Sequence, residues 1–379
     1  MSDPARKIAA VLNSLAEDAR LVHVEQIPAR AARTAELDRP LPEELLQHVP
    51  HTQFWSHQAQ AINLARSGES LVVATGTASG KSLCYQVPIA ESVLSGGTAL
   101  MIYPTKALAR DQLLSLTSWE VPGLTAAAYD GDCSPEERSW VRTHANVLLT
   151  NPEMVHQTIL ANHRRWAKFL QELKFVVVDE LHTLRGVFGT HVAHILRRLR
   201  RLVRFYGGEE PTVIFSSATI GEPAKLASGI CGHEVAVVQR DASPSGMRSI
   251  ALWNPAEASD GERWSINAEA ALLASRLISA GLRTLVFCGS RRGTEVVASA
   301  LRDSLDESLA EQVRSYRAGY LAHERRQIEA ELLSGELLGV VATNALELGV
   351  NIGGLDAVVM CGYPGTIASF RQQLGRSGR

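Results

Sequence analysis

The stretch Leu71 to Ser82 reads LVVATGTASGKS, and its residue types at this spacing suit the gripping of a polyphosphate. The apolar run Leu71 to Ala74 predicts a buried strand. A loop of Gly, Thr and Ser follows, and Gly80, Lys81 and Ser82 open an apolar run ending near Leu94. Strand, loop and helix in this order form a P-loop context. The backbone N–H groups of Thr77, Ala78, Ser79, Gly80, Lys81 and Ser82 make an anion nest, and the helix start adds its positive dipole end. Lys81 brings a cation, and the Ser82 hydroxyl is a ligand for Mg²⁺. Thr75 stands where the strict pattern has its first glycine, so an ordinary glycine-containing strand-to-helix turn is the competing reading.

A second element decides between them. The apolar strand Phe175 to Val178 delivers Asp179-Glu180-Leu181-His182 at its C-terminal end, where open α/β sheets gather their ligands. Asp179 is placed to hold the Mg²⁺ of a nucleotide cradled by the P-loop, and Glu180 to orient or deprotonate the attacking water. Together the two elements point to nucleotide hydrolysis, with ATP or GTP both open. The strand Thr212 to Phe215 ends in Ser216-Ser217-Ala218-Thr219, whose hydroxyls suit hydrogen bonds to a catalytic carboxylate or a helix cap before Glu222. At the C-terminus, Arg376 and Arg379 stand three apart among glycines. Their planar forks match the charge of a γ-phosphate in transfer, if this segment faces the first site; a solvated basic turn is the alternative.

These groups need a scaffold, and the sequence describes one. The chain has 379 residues, 45% hydrophobic and 21% charged, which fits an ordinary globular protein of two domains. The apolar runs LVVA, TALMIY, NVLLT, FVVVD and TVIFS alternate with helical patterns, as a parallel sheet covered on both faces requires. The pattern lapses between Ser243 and Gly261 and then resumes, with helices near 266–280, 294–305 and 322–333 and strands at 284–288, 338–343 and 357–361. Residues 1–50 read as a mostly helical N-terminal appendage, 51–245 as one α/β domain and 246–379 as a second. The five cysteines are widely spaced with no C-x-x-C pair, which argues against a zinc site or a disulfide framework. No run reaches a membrane span, and no secretory h-region opens the chain, so a cytoplasmic setting is expected. A net charge of −2 neither favours nor excludes a nucleic-acid partner.

The ordered set ATGTASGKS, PTKALARDQ, TNPEM, DELH, SAT, LVFCGSR, ATNALELGVNIG and QQLGRSGR resembles motifs I, Ia, Ib, II, III, IV, V and VI of the superfamily 2 DExH-box helicases. The fuller wording SHQAQAI, YRAGY and ERRQIE is similar to the YprA-like or Hrq-type members. The resemblance implies two tandem RecA-like domains that bind ATP and Mg²⁺ at their interface and a single or tailed strand, DNA preferred, across both. It implies 3′ to 5′ ATP-dependent DNA unwinding in repair, with RNA unwinding or a clamp without unwinding as alternatives. Gln58 matches the glutamine that reads adenine, with Phe54 or Trp55 available to stack on the base. Lys81, Ser82, Asp179 and Glu180 keep the roles already given, and His182, Ser217 and Thr219 would couple hydrolysis to strand separation. Arg376 and Arg379 match the arginines of motif VI. Thr105, Lys106, Arg110, Gly131, Asp132, Thr150 and Asn151, with Ser290, Arg291 and Thr343, match positions that hold a strand. Small hydroxyls, amides and a few cations at loop tips grip phosphates without reading bases. The arginines of the helix through Arg197, Arg198, Arg200, Arg201 and Arg204 read more readily as a solvated face.

Three departures from the family accompany this expectation: Thr75 in the P-loop, Asn351 in motif V where these helicases carry Asp, and the stop at Arg379. Family members continue into a region with four zinc-binding cysteines. The second domain is therefore expected to be incomplete and the chain to be without that zinc site.

Overall fold

The apolar runs become strands because alternate residues supply two separate cores. In the computed structural model, residues 3–255, 265–317, 319–347 and 354–378 are described, and the chain divides into Ala32–Ser243 and a second unit of Met1–Ala31 with Pro244–Arg379. The first unit holds β1 (Leu71–Ala74), β2 (Thr98–Ile102), β3 (Ala126–Ala128), β4 (Val147–Thr150), β5 (Leu173–Val178), β6 (Thr212–Ser217) and β7 (Ala236–Val238). They form a parallel sheet in the order β7-β1-β6-β5-β2-β4-β3. Val72, Leu100, Leu148, Val176 and Phe215 face one core, and Leu71, Val73, Met101, Leu149 and Val177 face the other. Such two-sided burial is what period-2 alternation does to a wholly apolar strand. The short edge strands β3 and β7 add to the five strands that the apolar runs predict.

Helices cover both faces. α1 (Ser56–Arg66) and α2 (Leu83–Leu94) lie over one core; α4 (Gly186–Phe205), entered after α3 (Lys106–Thr117) in chain order, buries Val192, Leu196, Leu199 and Val203 in the other. Ser134 and Glu137 form a capping box, each side chain accepting the other residue's backbone N–H at 3.1 and 2.7 Å.

The second unit repeats the plan with four parallel strands, β8 (Thr284–Phe287), β9 (Val313–Tyr316), β10 (Gly339–Ala342) and β11 (Ala357–Met360), in the order β9-β10-β8-β11. α5 (Arg291–Asp303) follows β8, and α6 (Ile367–Leu374) follows β11.

Residues 1–50 are not a separate appendage. Leu21–Ile27 pairs antiparallel with Arg248–Trp253 in the second unit, while residues 32–50 pack into the first. The strand LVHVEQI escapes sequence reading because its partner lies far along the chain and neither of its faces is deeply buried. Its entry is fixed by Arg20, which donates to Asp18 and to the buried Glu269 while stacking over Trp253 at 4.8 Å. No helix of the described residues is long and apolar enough to cross a membrane.

Candidate functional site

The sheet order sorts the motifs along one edge. β1, β6 and β5 are neighbours, so the P-loop, Ser216-Ser217 and Asp179 emerge side by side at their C-terminal ends. β2, β4 and β3 carry Thr105, Thr150-Asn151 and Gly131-Asp132 to the other half of the same edge.

The P-loop is tightly specified. Lys81 Nζ donates to the carbonyls of Gly76 and Thr75 at 2.6 and 3.2 Å, which parks the cation on its own loop. Thr75, the departure from the strict motif, has a purpose here: its hydroxyl meets Ser79 Oγ at 2.6 Å, and Ser79 donates on to Gly76 O. Gly80 sits at φ +62°, and a Cβ there would lie 2.5 Å from Gln58 Nε2 and 3.0 Å from the Trp55 ring. Only glycine fits both the conformation and the space. Ala78 adopts a left-handed φ of 59° without being glycine, a strain that functional loops carry.

Gln58 is satisfied locally, its Oε1 accepting from Trp55 N and its Nε2 donating to Gly80 O, both at 3.0 Å. It thus starts α1 and braces the P-loop at once. Phe54 is 2% exposed in the core and closed to a base, which corrects the expectation that it could stack; Trp55 is half-buried beside His57.

Asp179 lies in the same pocket of charge. Burial pushes its carboxyl above the usual range, opposed by hydrogen bonds from Ser216 and from Glu180 N and by the charge of Lys81. Burial in turn holds Lys81 below the ordinary lysine range, opposed by Glu180 and Asp179. Each group's charge offsets part of the other's cost of burial. Glu180 has the second left-handed φ of the site, 53°, and its Oε2 lies 3.2 Å from His182 Nδ1. The buried Ser217 hydroxyl finds no hydrogen-bonding partner among the described residues, and Thr219 is half-buried behind it. A buried carboxylate beside a serine-tipped helix start is a donor set that suits Mg²⁺.

Sequence reading missed His57 and Asp241. His57 is buried, its Nε2 2.8 Å from Ser79 O, and its Nδ1 accepts from Ala242 N at 3.2 Å. Asp241 Oδ1 accepts from both Ser243 N and Ser243 Oγ, and a Cβ at position 76 would lie 3.1 Å from its other oxygen. Adjacency to Gln58 was the only local signal for His57.

The residues matched to strand contacts, in the first unit and in the second, divide into two kinds. Thr105, Asn151 and Ser290 are helix N-caps, accepting from Leu108 N, Met154 N and Gly293 N; Thr343 likewise accepts from Ala345 N. Their side chains fix the starts of these helical turns. Thr150 is 1% exposed and donates to Tyr129 O, so its hydroxyl is closed to a strand. Lys106 and Arg110 are exposed and share Asp132 at 2.6 and 3.3 Å, beside the exposed Gly131. The Asp132 carboxylate therefore holds two cations instead of offering a phosphate contact of its own. Arg291 is exposed. Arg376 is 5% exposed and donates to the Glu347 carbonyl, while Gln373 donates to the Glu347 carboxylate at 3.1 Å. Arg379 and Asn351 lie outside the described residues. In α4, Arg200 and Arg204 pair with Glu210, as a solvated face would.

A P-loop and an acid-tipped strand at one edge of a parallel sheet, with a second parallel sheet following, define a tandem RecA-like fold. The DEAD/DEAH box helicase family matches residues 55–226, and the helicase conserved C-terminal domain matches residues 268–379. The chain belongs to the DEAD/DEAH box helicases. It is 43% identical over 375 residues to the ATP-dependent helicase HRQ1 of Saccharomyces cerevisiae, covering 95% of this chain and 35% of that one. It is 39% identical over 389 residues to the ATP-dependent helicase YprA of Bacillus subtilis, covering 99% of this chain and 51% of that one. The crystal structure of the DUF1998 helicase MrfA bound to DNA superposes with a TM-score of 0.93 at 39% identity, covering 98% of this chain and 51% of that one. The chain spans about half or less of the length of these relatives.

Proposed function

We propose that this chain is the motor part of an ATP-dependent helicase that uses ATP hydrolysis to move along a single strand. DNA is the preferred strand, with 3′ to 5′ movement in repair or maintenance as the resemblance implies. The observation that carries this reading is the meeting of Lys81, Ser216, Asp179 and the Glu180–His182 pair at the ends of three adjacent strands. In it, Lys81 and the amides of the P-loop hold the phosphates, and Ser82 and Asp179 hold Mg²⁺, which neutralises phosphate charge when bound. Glu180, kept in place by His182, orients the attacking water. Gln58 and Trp55 border the base, and Arg376 and Arg379 answer the phosphoryl charge during turnover. The DNA in the MrfA structure supports DNA over RNA. Residues 51–245 and 246–379 are proposed as the ATP-binding and C-terminal helicase domains.

The test is ATP turnover with single-stranded DNA and RNA oligomers side by side. DNA should stimulate at least about tenfold; equal rates with and without either strand would overturn the motor reading. Displacement of a 3′-tailed duplex separates a motor from a clamp that binds without unwinding. Asp132→Asn gives a sharper test of the strand face, because it releases Lys106 and Arg110 and removes a charge that repels phosphate. Strand affinity should rise several-fold and fall more steeply with salt, by about one unit of log–log slope. Unchanged affinity would remove these cations from the strand path.

A further inference from the structure

Two cysteines that the proposed function does not use face each other in the second unit. Cys288 and Cys361 stand one residue beyond the ends of β8 and β11, strands paired in parallel with Phe287 opposite Met360. Cys361 N donates to Phe287 O at 2.8 Å, so pairing continues to the cysteines themselves. Their sulfurs are 3.5 Å apart. Adjacent strands lie about 4.8 Å apart, inside the Cα separation that a disulfide spans, so closing the bond needs only about 1.5 Å of sulfur approach. Cys288 is 5% exposed and Cys361 half-buried, so a small oxidant reaches the pair from the Cys361 side.

We propose that Cys288 and Cys361 form a reversible oxidation site that closes to an intramolecular disulfide on exposure to peroxide or a disulfide oxidant. With hydrogen peroxide, the Cys288 sulfur attacks one peroxide oxygen, giving a sulfenic acid and releasing the first water. The Cys361 sulfur then attacks the sulfenic sulfur, forming the S–S bond and releasing the second water. Two electrons pass from the thiols to peroxide, and both thiol protons leave in the two waters. The contact between the two thiols holds Cys288 below the ordinary cysteine range and, with burial, drives Cys361 above it, which favours Cys288 as the attacking sulfur. The remaining cysteines are poorer targets. Burial pushes the thiols of Cys84 and Cys231 up to about 12 and about 11. Cys133 has no cysteine paired with it among the described residues.

The bond would staple two loops. Cys288 is followed by Gly289 and then Ser290, the cap of α5; Cys361 is followed by the turn that leads to Thr366, the cap of α6. The bond itself does not depend on the helicase reading; only its effect on strand handling rests on that reading.

The experiment is mild peroxide treatment of the full chain, alkylation of the denatured protein and peptide mapping without reductant. A 288–361 linked peptide, 2 Da lighter than the two thiols, loss of two of the five free thiols, and recovery of both with dithiothreitol are expected. The Cys361→Ser variant should give no link. Full alkylation of all five thiols, a link elsewhere, or Cys288 oxidised only to sulfinic acid would overturn the proposal. Wild-type mapping decides it even if the serine variant fails to fold. Absence of strand-stimulated turnover would refute the motor reading and leave this result intact.

Discussion

Lys81→Ala should cut ATP turnover at least about 10³-fold, the upper range for losing one charge-stabilising group at a phosphoryl or acyl centre. The loss should come without unfolding. Lys81 gives its loop two hydrogen bonds, to the buried Thr75 O and to Gly76 O, where the loop becomes half-buried. Their release costs about 1 kcal/mol, and removing a cation that burial disfavours offsets part of it. A thermal melt run beside the turnover assay checks this. Hydrolysis that persists in the variant would sink the site assignment, whereas a lost melting transition would mean that Lys81 is chiefly structural.

Asp179→Asn should do two opposite things. Turnover should fall about 10³-fold, while the nucleotide-free chain should melt about 2–4 °C higher. The sign follows from burial: the carboxyl of Asp179 is raised, so the folded state binds its proton more tightly than the unfolded state. Its charge therefore costs stability at neutral pH. That cost is full above the raised folded value and vanishes below the unfolded value near 3.9. Asparagine removes the charge and keeps an oxygen to accept from Glu180 N. The wild-type advantage should return with Mg²⁺ and a non-hydrolysable ATP analogue, which should raise the melting point of the wild type more than that of the variant. A variant that melts lower without nucleotide would show that the carboxylate is a stabilising partner of Lys81 instead of a strained one.

What could be read from the sequence, and what could not, follows the range of the forces involved. β1, β2, β4, β5 and β6 were legible because each is a continuous apolar run buried on both faces. Val313–Tyr316 was not, because it mixes Arg and Ser with its two apolar residues, and Leu21–Ile27 was not, because its partner is distant in sequence. The nucleotide residues were legible as motifs, since a phosphate nest needs consecutive residues. Their mutual charge was not, because the pull between Lys81 and Asp179 exists only once β1, β6 and β5 are neighbours. The residues matched to strand contacts carry a further role that the sequence did not display. Thr105, Asn151 and Ser290 are helix caps, and a capping hydroxyl and a phosphate-binding hydroxyl look the same in a sequence.

One contact carries a mechanical consequence. His57 is a rigid strut with one ring nitrogen against the P-loop carbonyl of Ser79 and the other receiving Ala242 N, next to the point where the chain leaves the first unit at Ser243. Under the proposed function a phosphate at the loop would compete with the carbonyls of Thr75 and Gly76 for Lys81, and Ser79 is hydrogen-bonded to the same two residues. The imidazole links the Ser79 carbonyl to the backbone of Ala242 through one hydrogen bond on each side of the ring. A single buried ring thus joins the candidate phosphate loop to the backbone beside the exit of the chain from the first unit.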